Sequence, residues 1–217
     1  MSVLGHELRS PLTAIRGAAS LLLVAHSELA PAKVTELLRV IDSQAARMAD
    51  RVEDVLVASR LDAGQQRVLV GDLELSDLIA DNLESARAIA DGRRIRVSGR
   101  VEGLHARGDL QRVSQVLRIL LENAIRHSPP GSPVEVRVDA RPKRVRIEVR
   151  DRGPGIAPED RERVFARGVK LDPGGPGAGL GLYIVRGLAS AMDGEAGVDP
   201  RAGGGSTFWL SLQTPRK

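Results

Sequence analysis

Cysteine is absent from the 217 residues, so the chain holds no disulfide and offers no thiolate to a metal. Aromatic residues make up only 2% of it: one Trp, one Tyr and two Phe. That is too few for the stacking platforms that grip bases, so nucleic acid is not an expected partner. Long apolar runs are missing too. The longest, Leu21-Leu22-Leu23-Val24-Ala25, cannot span a bilayer, and no signal peptide is visible. The product is expected to be soluble and cytoplasmic. Because a helix opens almost at Met1, any membrane link is expected to come from a segment further upstream. Charge of one sign does not dominate: 32 basic against 28 acidic side chains give a net +4. Residues 1–64 carry seven basic and eight acidic side chains, so the excess lies in the remainder, which suits an anionic ligand.

What is present begins with Leu4-Gly5-His6-Glu7-Leu8-Arg9-Ser10-Pro11-Leu12. Leu4, Leu8, Leu12, Ile15, Ala19 and Leu22 recur at helical spacing and predict a helix to about Ala25. His6 falls on the opposite face, and Ser10 lies one turn along that face. Pro11 cannot donate its N–H and crowds the carbonyl of Glu7, which predicts a bend beside the histidine. A neutral imidazole is a good nucleophile, and Glu7 can hold the proton of its other nitrogen. Pro31 opens a second helix, in which Val34, Leu38, Ile41, Ala45, Met48, Val52 and Val55 form a heptad seam. It ends near Gly64, a C-cap residue. Two helices leave much of that seam uncovered; a second copy forming a four-helix bundle covers it, the alternative being a monomer in which the seam packs on the second domain. Residues 1–64 are therefore read as a dimerising hairpin, Gln65-Gln66-Arg67 as a linker, and 67–217 as a second domain.

In the second region strand and helix signals alternate. Ser76 is read as the cap of a helix, Ile95-Arg96-Val97 as a short strand, and Asp109 to His127 as a strong amphipathic helix. Residues 134–138 and 145–149 alternate with period two around a turn at Arg141-Pro142-Lys143, and 206–212 reads as a last strand. The expectation is an α+β fold, a mixed or antiparallel sheet with helices on one face.

Three stretches here can carry chemistry. Asn123 sits off the apolar face of the long helix, and an amide oxygen suits a hard cation such as Mg²⁺. Asp151-Arg152-Gly153-Pro154-Gly155 follows a strand; its carboxylate can accept from an exocyclic amine, and its glycines let a flat ring approach the backbone. Gly174 to Leu182 is glycine-rich and opens a helix, presenting free N–H groups and a positive dipole end to phosphate. It matches neither a P-loop nor a Rossmann turn.

In order and spacing these stretches resemble the catalytic core of bacterial two-component sensor histidine kinases, over essentially the whole chain. Residues 4–12 look like the family's H box, with His6 as phosphoacceptor and Glu7 as its acid/base helper. Gln115 to His127 looks like the N box. The resemblance makes Asn123 the Mg²⁺ ligand and puts Arg126 near the phosphates. Asp151, Gly153 and Gly155 match the first glycine box, where the aspartate reads adenine. Val164-Phe165-Ala166-Arg167 looks like the F box. Gly177, Gly179 and Gly181 match the second glycine box beside the ATP lid. His127, Lys170, Leu180 and Thr207 fall at further nucleotide-contacting positions. The resemblance implies a phosphotransfer hairpin followed by a Bergerat-type (GHKL) ATP-binding sandwich, using ATP and Mg²⁺, forming a homodimer and passing phosphate to a response regulator receiver domain.

Some positions depart from the pattern. Ile119 replaces an earlier N-box asparagine, Gly168 replaces the second F-box aromatic, and the lid, Arg167 to Gly177, is short. Ser10 stands where a threonine or asparagine usually supports phosphatase activity. Two other functions share these features: a plain ATPase or ATP switch built on the second domain, and a non-catalytic dimerisation and docking module.

Overall fold

A computed structural model describes residues 3–25, 28–90, 92–172 and 178–215, without the side chains of residues 3, 4, 6, 7 and 25. The first two elements are long helices, α1 (Val3–Ala25) and α2 (Pro31–Asp62), packed on each other as a hairpin. Helix α1 continues through Pro11. Pro31 starts α2 at the position where a missing N–H costs nothing, and Ala30 ahead of it is extended. At the other end Gln65 N–H bonds to Arg60 O (2.8 Å) and Gly64 N–H to Leu61 O (3.0 Å), with Gly64 at φ +64°. This is a Schellman stop, and it needs the left-handed residue that glycine supplies.

The remainder is an α+β sandwich. Strands β1 (Gly71–Glu74) and β3 (His105–Gly108) form a small antiparallel ribbon. Strands β2 (Ile95–Ser98), β4 (Val134–Arg141), β5 (Arg144–Arg150), β6 (Glu195–Pro200) and β7 (Ser206–Gln213) form one mixed sheet in the order β2-β4-β5-β7-β6. Among the described strands only β2 and β4 run parallel; the other pairs are antiparallel. In β5, Val145, Ile147 and Val149 point into the core, while Arg144, Arg146, Glu148 and Arg150 form the opposite face. There Arg146 bridges Glu148 (3.0 Å) and Asp199 (2.5 Å) and lies over Trp209. Helices α3 (Leu75–Ile89), α4 (Leu110–His127) and α5 (Gly181–Ala191) share one core with the inward side of the sheet.

Two local readings change. The cap of α3 is Glu74, not Ser76, whose hydroxyl bonds back to Glu74 Oε1 (2.7 Å) inside the first turn. The helix starts earlier because fully buried Leu75 anchors it, with its N–H on Leu104 O (3.0 Å). The hairpin is also less separate from the sandwich than the linker at 65–67 implies. Val57 and Ala58 of α2 belong to the sandwich core, and Leu61 packs against it. The chain beyond is pinned as well. Asp109 caps α4 through Oδ1, which accepts from Gln111 and Arg112 N–H, while its Oδ2 accepts from Leu69 N–H (2.8 Å).

Candidate functional site

Helix α4 is the floor of the site. Its apolar stripe, including Val113, Val116, Leu117, Leu120, Leu121 and Ala124, is almost completely buried and fixes the helix against the sheet. That orientation turns Ile119, Glu122, Asn123 and Arg126, spaced three and four apart, toward a cavity of about 750 Å³. The cavity is large enough for a nucleotide-sized ligand.

At one end stands Asp151, which follows β5 directly and is only 3% exposed. Its Oδ1 accepts from Gly153 N–H (2.7 Å) and Ser206 N–H (3.1 Å), which fixes the rotation of the carboxylate. Gly153 itself does not line the cavity. A Cβ there would sit 2.8 Å from His127 O, so this glycine lets the turn press on the end of α4. Gly155, at φ +78°, does line it. Beside them His127 is pushed below the ordinary histidine value by desolvation and then by the charge of Arg126, so its imidazole is neutral at pH 7.

At the other end the first turn of α5 closes on α4. Gly179, Leu180 and Gly181 line the cavity. A Cβ on Gly181 would meet Ile119 Cγ2 at 3.0 Å, and one on Gly179 would fall 2.6 Å from the backbone of Gly168. The glycines therefore let a helix N-terminus, with its unpaired N–H groups, approach the floor. Lys170 lines the same space. Gly177 and the centre of the lid fall outside the described residues. Thr207 is not part of the wall: it is buried, and its neighbours Ser206 and Phe208 line the cavity instead. The period-two alternation of β7 sets that phase, one residue out of step with the position the sequence points to.

No local signal in the sequence marks the third wall. Arg51, Asp54 and Val55 of α2 line the cavity from the hairpin side. Asp54, 5% exposed, accepts at Oδ1 from Gln115 Nε2 (2.9 Å) and Arg118 Nη2 (2.7 Å). Arg118 also holds Glu122 (3.1 Å), and Arg51 holds Glu122 (2.9 Å) and Asp54 (3.5 Å). Arg112 ties Glu53 (2.9 Å) to the same cluster. In the sequence Arg51 and Asp54 look like an ordinary i,i+3 surface pair, and only the docking of α2 on α4 reveals their place.

The hairpin residues read as catalytic are on α1. Ser10 is exposed there. His6 and Glu7 lie within the helix, but their side chains fall outside the described residues. Asn123 is the amide available to a cation at the floor. Among the described residues no three His, Cys, Asp or Glu side chains converge as a metal site. A Mg²⁺ ion, which keeps several waters and shares substrate phosphates, fits a site with one protein oxygen better than a dedicated cage.

Known proteins carry the same two parts. Residues 1–64 match the His Kinase A (phospho-acceptor) domain, and residues 108–216 match the histidine kinase-, DNA gyrase B- and HSP90-like ATPase family. The sensor-like histidine kinase SenX3 of Mycobacterium tuberculosis is 34% identical over 216 residues, covering 95% of this chain and 51% of that protein. The sensor protein DivL of Caulobacter vibrioides is 34% identical over 212 residues, 95% of this chain and 27% of that one. This chain thus spans about a quarter to a half of the length of these relatives. Among solved structures, full-length ShkA in complex with AMPPNP aligns with a TM-score of 0.68 at 30% identity, over 99% of this chain and 46% of that one. The mycobacterial sensor histidine kinase MprB aligns with a TM-score of 0.61 at 27% identity, over 69% of this chain and all of that one.

Proposed function

This chain belongs to the two-component sensor histidine kinases, and from that premise we propose that it is an ATP-dependent autokinase whose phosphoacceptor is His6. The observation that carries the reading is the meeting of three elements at one cavity. The carboxylate of Asp151 stands at one end, the glycine-started α5 at the other, and helix α2 of the hairpin forms a wall. His6 lies nineteen residues before the end of α1, and Asp50 nineteen residues after the start of α2. At about 1.5 Å per residue both are about 28 Å from the hairpin turn. The acceptor helix therefore brings His6 to the axial level of the α2 residues at the cavity.

In this reading ATP is the substrate. The fixed carboxylate of Asp151 receives the adenine amine, and the N–H groups at the start of α5, with Arg126 and Lys170, face the phosphates. The complex of ShkA with AMPPNP supports an adenine nucleotide in such a fold. Asn123 would hold Mg²⁺, which supplies charge neutralisation when bound. A neutral nitrogen of His6 attacks the γ-phosphorus, the N–P bond forms as the bond to the β,γ-bridging oxygen breaks, and ADP leaves. Glu7 takes the proton from the other imidazole nitrogen. Ile119 stands where related ATPases position a water-activating side chain, and an alkyl group there favours transfer over hydrolysis. The phosphoryl group then passes to an aspartate of a response regulator receiver domain, and Ser10 helps to position the water that later hydrolyses that aspartyl phosphate. The working form is a homodimer whose kinase core lies in the cytoplasm. Among the described residues no helix is long and apolar enough to cross a membrane.

Incubation with γ-labelled ATP tests this directly. The expected product is acid-labile, alkali-stable label on the protein, abolished by His6→Gln with ATP affinity within about twofold of wild type. Phosphate release without protein label would mark an ATPase instead.

A further inference from the structure

The salt-bridge cluster between α2 and α4 is built with one cation more loosely held than the others. Arg118 is its fixed centre: its side chain is 21% exposed and it reaches both Asp54 and Glu122. Arg51 reaches the same two carboxylates from the hairpin side, with a side chain 32% exposed. Each partner of Arg51 therefore keeps a second donor when Arg51 leaves. Glu122 retains Arg118 at 3.1 Å, and Asp54 retains Arg118 at 2.7 Å and Gln115 at 2.9 Å. Releasing Arg51 strands no buried charge, which is the expensive outcome for such a pair. Removing Arg118 would leave Glu122 to Arg51 alone, and Asp54 to Gln115 and a longer 3.5 Å contact with Arg51.

The position of Arg51 gives that release a purpose. It lines the cavity with Asp54 and Val55, and on the floor opposite them lie Ile119 and Glu122. Ile119 is also the residue that Gly181, at the start of α5, closes upon. The α2 wall and the positive end of α5 thus converge on the same stretch of α4, away from Asp151. A guanidinium is a planar fork suited to phosphate oxygens, and a phosphate carries more charge than the single carboxylate of Glu122.

We propose that Arg51 is a nucleotide-contacting residue that exchanges Glu122 for the terminal phosphate of a nucleoside triphosphate. This rests on the nucleotide reading of the cavity. The contact is made by the hairpin rather than by the sandwich. A triphosphate therefore holds α2, and with it the acceptor helix, against the site, while a diphosphate lacks the group that Arg51 takes.

The test measures Mg²⁺-dependent ATP and ADP affinity by calorimetry on the full chain carrying His6→Gln, so that no turnover occurs. Arg51→Gln is expected to lower the preference for ATP over ADP about tenfold while ADP affinity stays within about twofold. Arg51→Lys, which keeps the charge and loses the fork, is expected to fall between. Glu122→Gln, which removes the competing carboxylate charge, is expected to raise the preference for ATP. Equal loss of ATP and ADP binding in Arg51→Gln would make Arg51 a structural clasp and overturn the proposal, as would no change in either. If the unsubstituted cavity bound neither nucleotide, the nucleotide reading itself would fail and this proposal with it.

Discussion

The phenol of Tyr183, in the first turn of α5, donates a 2.7 Å hydrogen bond to Oδ1 of Asp62, the last residue of α2. The other oxygen of Asp62 holds Arg167 at 2.7 Å, at the base of the lid. One carboxylate at the end of the hairpin thus ties down both edges of the glycine-rich segment. Leu61 beside it packs so closely that a Cβ on Gly187 would lie 2.5 Å from its Cδ1. Tyr183→Phe removes one exposed bond and should cost less than about 1 kcal/mol of stability. Asp62→Ala frees both edges, and faster amide exchange across residues 167–182 than in wild type is the expected readout. Unchanged exchange in Asp62→Ala would mean that Leu61 alone carries the contact.

Gly179 and Gly155 separate two reasons for a glycine. Both have positive φ, +68° and +78°, but a Cβ on Gly179 would strike the Gly168 backbone at 2.6 Å, whereas one on Gly155 meets nothing closer than 3.5 Å. Gly155→Ala should cost about 1 kcal/mol of backbone strain. Gly179→Ala must also break the Gly168 N–H to Gly179 O bond (3.0 Å), and ATP affinity should fall at least about tenfold. Calorimetry on both variants checks the contrast.

Asp151→Asn tests recognition without breaking the turn. The amide oxygen can still accept from Gly153 and Ser206 N–H, so the melting temperature should move little. The second position changes from acceptor to donor, and adenine-nucleotide affinity should drop about tenfold or more.

How much of this is legible in the sequence depends on whether a signal is local. The α4 stripe, the β4–β5 hairpin and both long helices follow from periodicity, and the glycine boxes follow from composition at helix and strand ends. The ribbon strands β1 and β3 do not, because four-residue strands with Gly71, Asp72, His105 and Gly108 have no alternation to read. Strand β6, with Gly197 and Pro200, escapes notice for the same reason. Gly197 is there because a Cβ would hit the Trp209 ring at 2.4 Å, a contact fixed by its cross-strand partner on β7, twelve residues later in the chain. The α2 wall is illegible because Arg51, Asp54 and Val55 meet α4 only after the two regions dock. Sequence spacing does carry the order of the catalytic stretches, because each is a short segment whose chemistry is local.

Leu38 and Val52 of the heptad seam remain 53% and 47% exposed in the single chain, and Leu12 on α1 46%. A partner hairpin would cover such a stripe. The full chain is expected to sediment as a dimer at micromolar concentration, and the double variant Leu38→Glu, Val52→Glu as a monomer that retains ATP binding. A monomeric parent chain would refute the bundle.

Asp50 carries a pH dependence. Its carboxyl is raised above the ordinary aspartate value, first by burial and further by Glu122 and Asp54, against the pull of Arg118. Between the ordinary value and the raised one, the folded state holds more protons than the unfolded chain, so stability falls as pH rises through that window. Above it the full penalty of the ionised carboxylate persists. Asp50→Asn should therefore raise the melting temperature at pH 7 and give no gain near pH 3. A lower melting temperature at pH 7 would show that the Arg118 pairing outweighs the burial.

Helix α2 is at once half of the hairpin and, through Val57 and Ala58, part of the sandwich core. Mechanically it is a lever clamped at one end. From Pro31 to Asp50, where the ion pairs to α4 begin, the arm is about 28 Å long at 1.5 Å per residue. A tilt of about 5° at the clamp sweeps its far end through about 2.5 Å, more than a side chain's clearance in a packed interface. A disturbance at the hairpin turn therefore reaches the nucleotide cavity as leverage on Asp54 and Arg51, with no flexible joint between them to absorb it.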